Sequence, residues 1–110
     1  MYKVIFCKSI WDGETFETAR NFTSFQREET LPFAPSMGVE FFWGIELPIS
    51  PKSIRWEFDE SLFVCTMPDE FPHEIEIYDY DYGWLVENAT QNGWTLVSSH
   101  ELKPGWNNPY

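Results

Sequence analysis

The sequence predicts an α+β domain: a curved antiparallel sheet of five or six strands, with a barrel-like closure among the arrangements it allows, and one C-terminal helix packed on that sheet. Three observations lead there. Through the first two thirds of the chain, short stretches rich in β-branched and aromatic residues alternate with Gly, Pro and Asp turn signals. Beyond Pro72 the apolar spacing lengthens from two residues to 3.6, the period of a helix. The 110 residues, 43% apolar and 19% aromatic, supply material for one core and are few for two. A single domain over residues 1–100 with a tail at 101–110 is therefore expected.

The elements follow in order. Tyr2 to Trp11 is a strand that runs into Asp12-Gly13, a dipeptide suited to a tight type I′ hairpin. The return from Glu14 mixes two- and three-residue spacings, and Thr23 with Gln26 resembles a capping box. The alternation of Glu29, Leu31 and Phe33 nevertheless favours a long, bent or bulged strand ending at Pro32. Pro35-Ser36-Met37-Gly38 is a turn, Val39 to Leu47 a third strand, and Pro48 and Pro51 close it, because proline gives no amide hydrogen to a ladder.

Ser53 to Phe58 and Leu62 to Met67 form a hairpin around Asp59-Glu60-Ser61. There Trp56 and Phe58 alternate with Arg55 and Glu57, so one face is expected buried and the other wet. Pro68 to Pro72 reads as a loop. Tyr78, Tyr82, Leu85, Val86 and Ala89 then share one helical face. Asp79 and Asp81 suit the positive end of a helix dipole and Gly93 suits its exit, which places a helix at residues 79–91. Trp94 to Ser98 is the last short strand.

Charge carries the functional argument. There are 18 acidic and 7 basic residues, for a formal net charge of −11. Ten of the acidic residues fall between Glu57 and Glu87, where there is no Lys or Arg. Such a field repels phosphate backbones and anionic lipid and attracts cationic protein surfaces, which argues against direct nucleic-acid or membrane binding. No apolar run approaches the ~18 residues of a membrane span, and residues 1–10 lack the order of a signal peptide. A cytoplasmic protein with Cys7 and Cys65 as free, half-buried thiols is the expectation.

Catalytic and metal motifs fail on spacing. Asp79-Tyr80-Asp81-Tyr82-Gly83 opens like an EF-hand loop, but its glycine comes one position early and Thr90 stands where a bidentate Glu is needed. Cys7, Cys65, His73 and His100 lack the close pairing of zinc ligands. Glu57 with Asp59, or Glu74 with Glu76, could share a strand face as an acid–base pair, yet in so acidic a chain such pairs arise by chance. No catalytic residue, metal or cofactor is assigned.

The expected function is that of a small acidic binding protein, not an enzyme, that docks on a basic protein surface through Glu70, Glu74, Glu76, Tyr78, Asp79, Tyr80, Asp81 and Tyr82. Carboxylates would steer the encounter and tyrosines would hold it. In size and charge alone the chain is similar to immunity-type inhibitors and nucleic-acid mimics, which occupy cationic grooves. The alternatives are a homo-oligomer subunit whose surplus aromatics form the interface, and a carboxylate-dependent hydrolase.

Overall fold

The structure, a computed structural model, describes residues 1–44, 47–75 and 77–101. Its elements are β1 (Tyr2–Trp11), β2 (Asn21–Leu31), β3 (Ser53–Glu57), β4 (Leu62–Thr66), β5 (His73–Ile75), β6 (Tyr78–Tyr80), α1 (Tyr82–Gln91) and β7 (Thr95–Glu101). Five strands form one sheet in the order β3-β4-β1-β2-β7, and β5 and β6 form a separate two-stranded hairpin. The α+β class and the single helix agree with the sequence pattern. The five-stranded sheet is mostly antiparallel, as expected, but it is mixed, and the barrel-like closure that the sequence allowed is not formed. β4 runs parallel to β1 with Val4 opposite Phe63 and Cys7 opposite Thr66, and the sheet stays open. A parallel neighbour requires a long crossover, which the residues between β1 and β4 provide.

The chain divides into two compact units, 1–8 with 26–68 and 9–25 with 69–110. In the first, Val4, Phe6, Cys65 and Met67 are fully buried. Phe41 and Trp43 close over Phe6 at ring separations of 4.8 and 4.9 Å, and the Arg27 guanidinium lies 5.0 Å from the Trp43 ring. Among the described residues of the expected strand Val39 to Leu47 no strand is formed. Phe41 instead exchanges both backbone hydrogen bonds with Ile49 of the same segment, at 2.8 and 3.0 Å. Gly44, at φ +66°, turns the chain back, and Pro48 has no amide to extend a ladder. Ile45 and Glu46 lie outside the described residues.

The β3–β4 hairpin is present, with Trp56 opposite Phe63. Its aromatic face is not buried as expected: Trp56 is 39% exposed and Phe58 84%. Among the described residues β3 is the last strand on its side of the sheet, and these rings pack on one another and on Phe63.

In the second unit Trp11 and Ala19 are buried with Phe16, Phe22 and Phe71 packed against them. Trp11 lies 4.6 Å from Phe22 and 4.8 Å from Phe16, distances at which aromatic pairs add to simple area burial. The tight Asp12-Gly13 turn is not formed, and β1 reaches β2 through residues 12–20. The Asp12 carboxylate organises this connection by accepting the Arg20 backbone N–H at 2.6 Å and the Asn21 side-chain amide at 2.7 Å. Partial burial pushes its pKa up, but those donated hydrogen bonds outweigh it and hold Asp12 below the ordinary aspartate value. Gly13 is needed for closeness: a Cβ there would sit 2.5 Å from the Ala19 nitrogen.

Helix α1 ends where expected. Gly93, at φ +92°, lets the Trp94 N–H return to the Ala89 carbonyl at 3.1 Å, a Schellman closure that also buries Trp94 against the helix end. Its start lies three residues later than the expected residue 79, because Tyr78–Tyr80 pair with His73–Ile75 as β6 and Asp81 becomes the N-cap. Leu85 and Ala89 are its buried positions, and it packs against β7. Of the tail expected at 101–110, Glu101 instead ends β7, and residues 102–110 lie outside the described residues.

Candidate functional site

The β5–β6 hairpin is where the expected binding residues meet. Its register places Glu74 opposite Asp79 and His73 opposite Tyr80. Paired residues share a face of a two-stranded sheet and successive ones alternate. Glu74 and Asp79 therefore form one face, both exposed, while His73, Tyr78 and Tyr80 belong to the other. On that second face His73 stacks on Tyr80 at 5.0 Å and Tyr78 lies 6.5 Å from Tyr80. Trp84, from the first turn of α1, meets the Tyr80 ring edge-on at 4.7 Å.

Like charges directly opposite one another weaken a strand pair, and among the described residues no cation bridges Glu74 and Asp79. Ile77, at the hairpin turn, is 89% exposed and Tyr78 58%, so the element presents apolar area beside its carboxylates. Its aromatic face is anchored through Trp84 to the helix.

The other expected residues take structural positions. The Asp81 carboxylate accepts the Trp84 backbone N–H at 2.8 Å, satisfying one of the helix's orphan donors. The Tyr82 hydroxyl shares a short hydrogen bond with the buried Thr23 hydroxyl, which also meets Ser99 Oγ at 3.3 Å. Glu70 is half-buried, and its backbone receives the Trp11 N–H and donates to the Ser9 carbonyl, both at 2.9 Å. Glu76 lies outside the described residues. His73, Ile77 and Trp84 were not anticipated; the missed signal was a strand pair hidden beneath the helical spacing of Tyr78 and Tyr82.

Charge is segregated by unit. The unit of residues 9–25 and 69–110 holds eleven acidic and two basic residues, whereas the other holds seven and five. Nearly all the excess thus resides in the unit that carries the hairpin. A shallow depression of about 180 Å³ on α1, lined by Trp84, Glu87, Asn88 and Gln91, adds one more carboxylate nearby in sequence, held by the Gln91 amide at 3.2 Å.

The cysteines are free thiols, and their geometry explains why. Phe6 is opposite Cys65 in parallel register, so Cys65 shares the face of Phe6 and Cys7 points to the other. Burial raises the pKa of Cys7, with Arg55 and Gln26 partly opposing it, and burial together with neighbouring Cys7 pushes Cys65 up to about 11. Among the described residues no three His, Cys, Asp or Glu side chains converge as metal ligands, and no helix is long and apolar enough to cross a membrane. Compared with known protein families, with curated proteins and with solved structures, the chain matches none.

Proposed function

We propose that this is an acidic binding protein, acting without catalysis, whose β5–β6 hairpin docks on a cationic surface of another protein. The observation that carries the reading is the cross-strand pair Glu74–Asp79: two exposed carboxylates in direct register, without a cation between them among the described residues, in the unit that holds nearly all the net charge. A protein stabilised only for its own sake gains nothing from that pairing, and departures from local stability concentrate at functional positions. A guanidinium or ammonium group from a partner would relieve it.

The long-range field of the acidic unit would accelerate encounter, and Ile77 and Tyr78 would supply apolar contact after it. In its sharpest form the partner's surface is a phosphate-binding groove, and the protein is an inhibitor of the immunity or nucleic-acid-mimic kind. Cytoplasmic action belongs to the same proposal.

The test is recovery of a basic partner from native lysate by the folded full chain and by its Glu74→Gln/Asp79→Asn variant, with elution by rising salt. Asp81 and Tyr82 are left intact, since altering them would disturb the helix cap and the Thr23 hydrogen bond. A partner that leaves the wild-type chain at moderate salt and binds the variant about tenfold more weakly is expected. Equal retention by both proteins would remove the hairpin from the interface.

A further inference from the structure

A second surface lies in the other unit, at the open edge of the sheet. β3 is hydrogen-bonded to β4 on one side, and among the described residues no strand follows it on the other. An unpaired edge is a template for another strand. On it Trp56 is 39% exposed, Phe58 at the start of the following turn is 84% exposed, and the rings continue inward, with Trp56 4.9 Å from Phe63 and Phe63 5.9 Å from the half-exposed Tyr2. Trp56, Phe63 and Tyr2 share one face of the sheet. On the opposite face Arg55 and Glu57 form an exposed ion pair along the strand.

We propose that β3 pairs with β3 of a second copy of this chain, antiparallel about a twofold axis at Trp56, continuing the sheet across a homodimer. The occupant is a second copy because the strand is complementary to itself. With Trp56 opposite its own counterpart, Arg55 of each copy faces Glu57 of the other, so two opposite-charge cross-strand pairs form at once, and Ile54 comes level with Phe58 at the start of the other copy's turn. Moving the axis to Arg55 or to Glu57 sets like charges face to face. Slipping by a single residue turns the aromatic row to the wrong side of the sheet. One register alone satisfies both faces.

Net charge points to the same edge. Two copies of a chain with net charge −11 repel, and the unit that holds β3 contributes only seven acidic against five basic residues. Joining there brings the smallest like charge together. One strand per copy buries a small area, so the dimer forms reversibly with concentration. β3 and the β5–β6 hairpin belong to different units.

Sedimentation velocity of the full chain across roughly two decades of concentration tests the proposal. Wild type passes from monomer to dimer. Arg55→Glu and Glu57→Arg, each placing like charges across the axis twice, raise the dissociation constant about tenfold or more, and the double exchange R55E/E57R restores it to within about threefold. Trp56→Thr keeps a strand-forming residue and also weakens the dimer, while E74Q/D79N leaves it unchanged. A wild type that stays monomeric throughout, or a double exchange no better than either single change, overturns the register. Far-UV circular dichroism of each variant verifies that a lost dimer is not a lost fold.

Discussion

Cys65 shows how a single position reports the sheet around it. It lies on β4 beside Phe6, fully buried, with its thiol pKa raised to about 11 by burial and by Cys7. The thiolate is the reactive form, so at pH 8 native Cys65 resists an aromatic disulfide reagent. Half-buried Cys7, also raised, reacts slowly, and both react fully in guanidinium. Rapid modification of two thiols in the native protein would contradict the burial. The pH dependence has a definite sign. Because the folded value is raised, the neutral thiol's contribution to stability is complete below the unfolded value near 9 and declines as pH climbs through about 11. Free thiols were legible from residue type and context; their placement on opposite faces was not, because it depends on a parallel register set by distant segments. Gly13 teaches the same lesson. Its type suggested positive φ in a tight turn, whereas the fold uses its missing Cβ to bring residue 19 close.

At the scale of elements, periodicity located what local interactions decide. The Gly93 exit, the buried Leu85 and Ala89, and the β3–β4 hairpin follow from the pattern, because a cap, an amphipathic stripe and a short turn each act within a few residues. The start of α1 was misread because Tyr78 and Tyr82 share helical spacing, while Tyr80 also fits a strand and finds partners in His73 and Trp84. Tertiary contact decided between them. Of the expected binding face, Glu74, Tyr78, Asp79 and Tyr80 share the hairpin, while Asp81 and Tyr82 serve the helix and its packing. The hairpin yields a prediction of its own. Glu74→Gln removes a like-charge contact and stabilises the chain by about 0.5 kcal/mol, the scale of a cross-strand pair. Asp79→Asn does the same, and the two together gain little more than either, since both relieve one repulsion. Urea midpoints followed by tryptophan fluorescence measure this cycle. Additive gains, or losses, would mean that Glu74 and Asp79 do not feel each other. The stabilised variants are the ones expected to bind a basic partner less well, opposite signs that a purely structural role for the pair would not produce.

For the whole molecule the decisive quantity is where the charge sits. The unit of residues 9–25 and 69–110 carries eleven acidic residues against two basic, so its folded state is under self-repulsion, whereas the other unit is nearly balanced and contains exposed ion pairs such as Lys3–Glu28 at 3.1 Å. Salt acts on these two situations with opposite sign. At about 0.01 M ionic strength the screening length is roughly 30 Å and repulsion reaches across a small domain; near 0.1 M it is about 10 Å and only neighbours interact. Raising salt therefore relieves the acidic unit. In the other unit it weakens attractive surface pairs, which contribute between about 0 and 1 kcal/mol each, so little is lost. The expected net effect is stabilisation on the order of 1 kcal/mol, seen as a Tm rise of roughly 4 °C for a chain of this size. Amide hydrogen exchange resolves where the gain resides: protection should increase with salt in α1, β7 and β5–β6, and remain flat or fall in β3 and β4. An equal increase in both groups would point to a general salt effect on apolar burial, and a decrease in the acidic unit would mean that its carboxylates are already matched by cations within the fold.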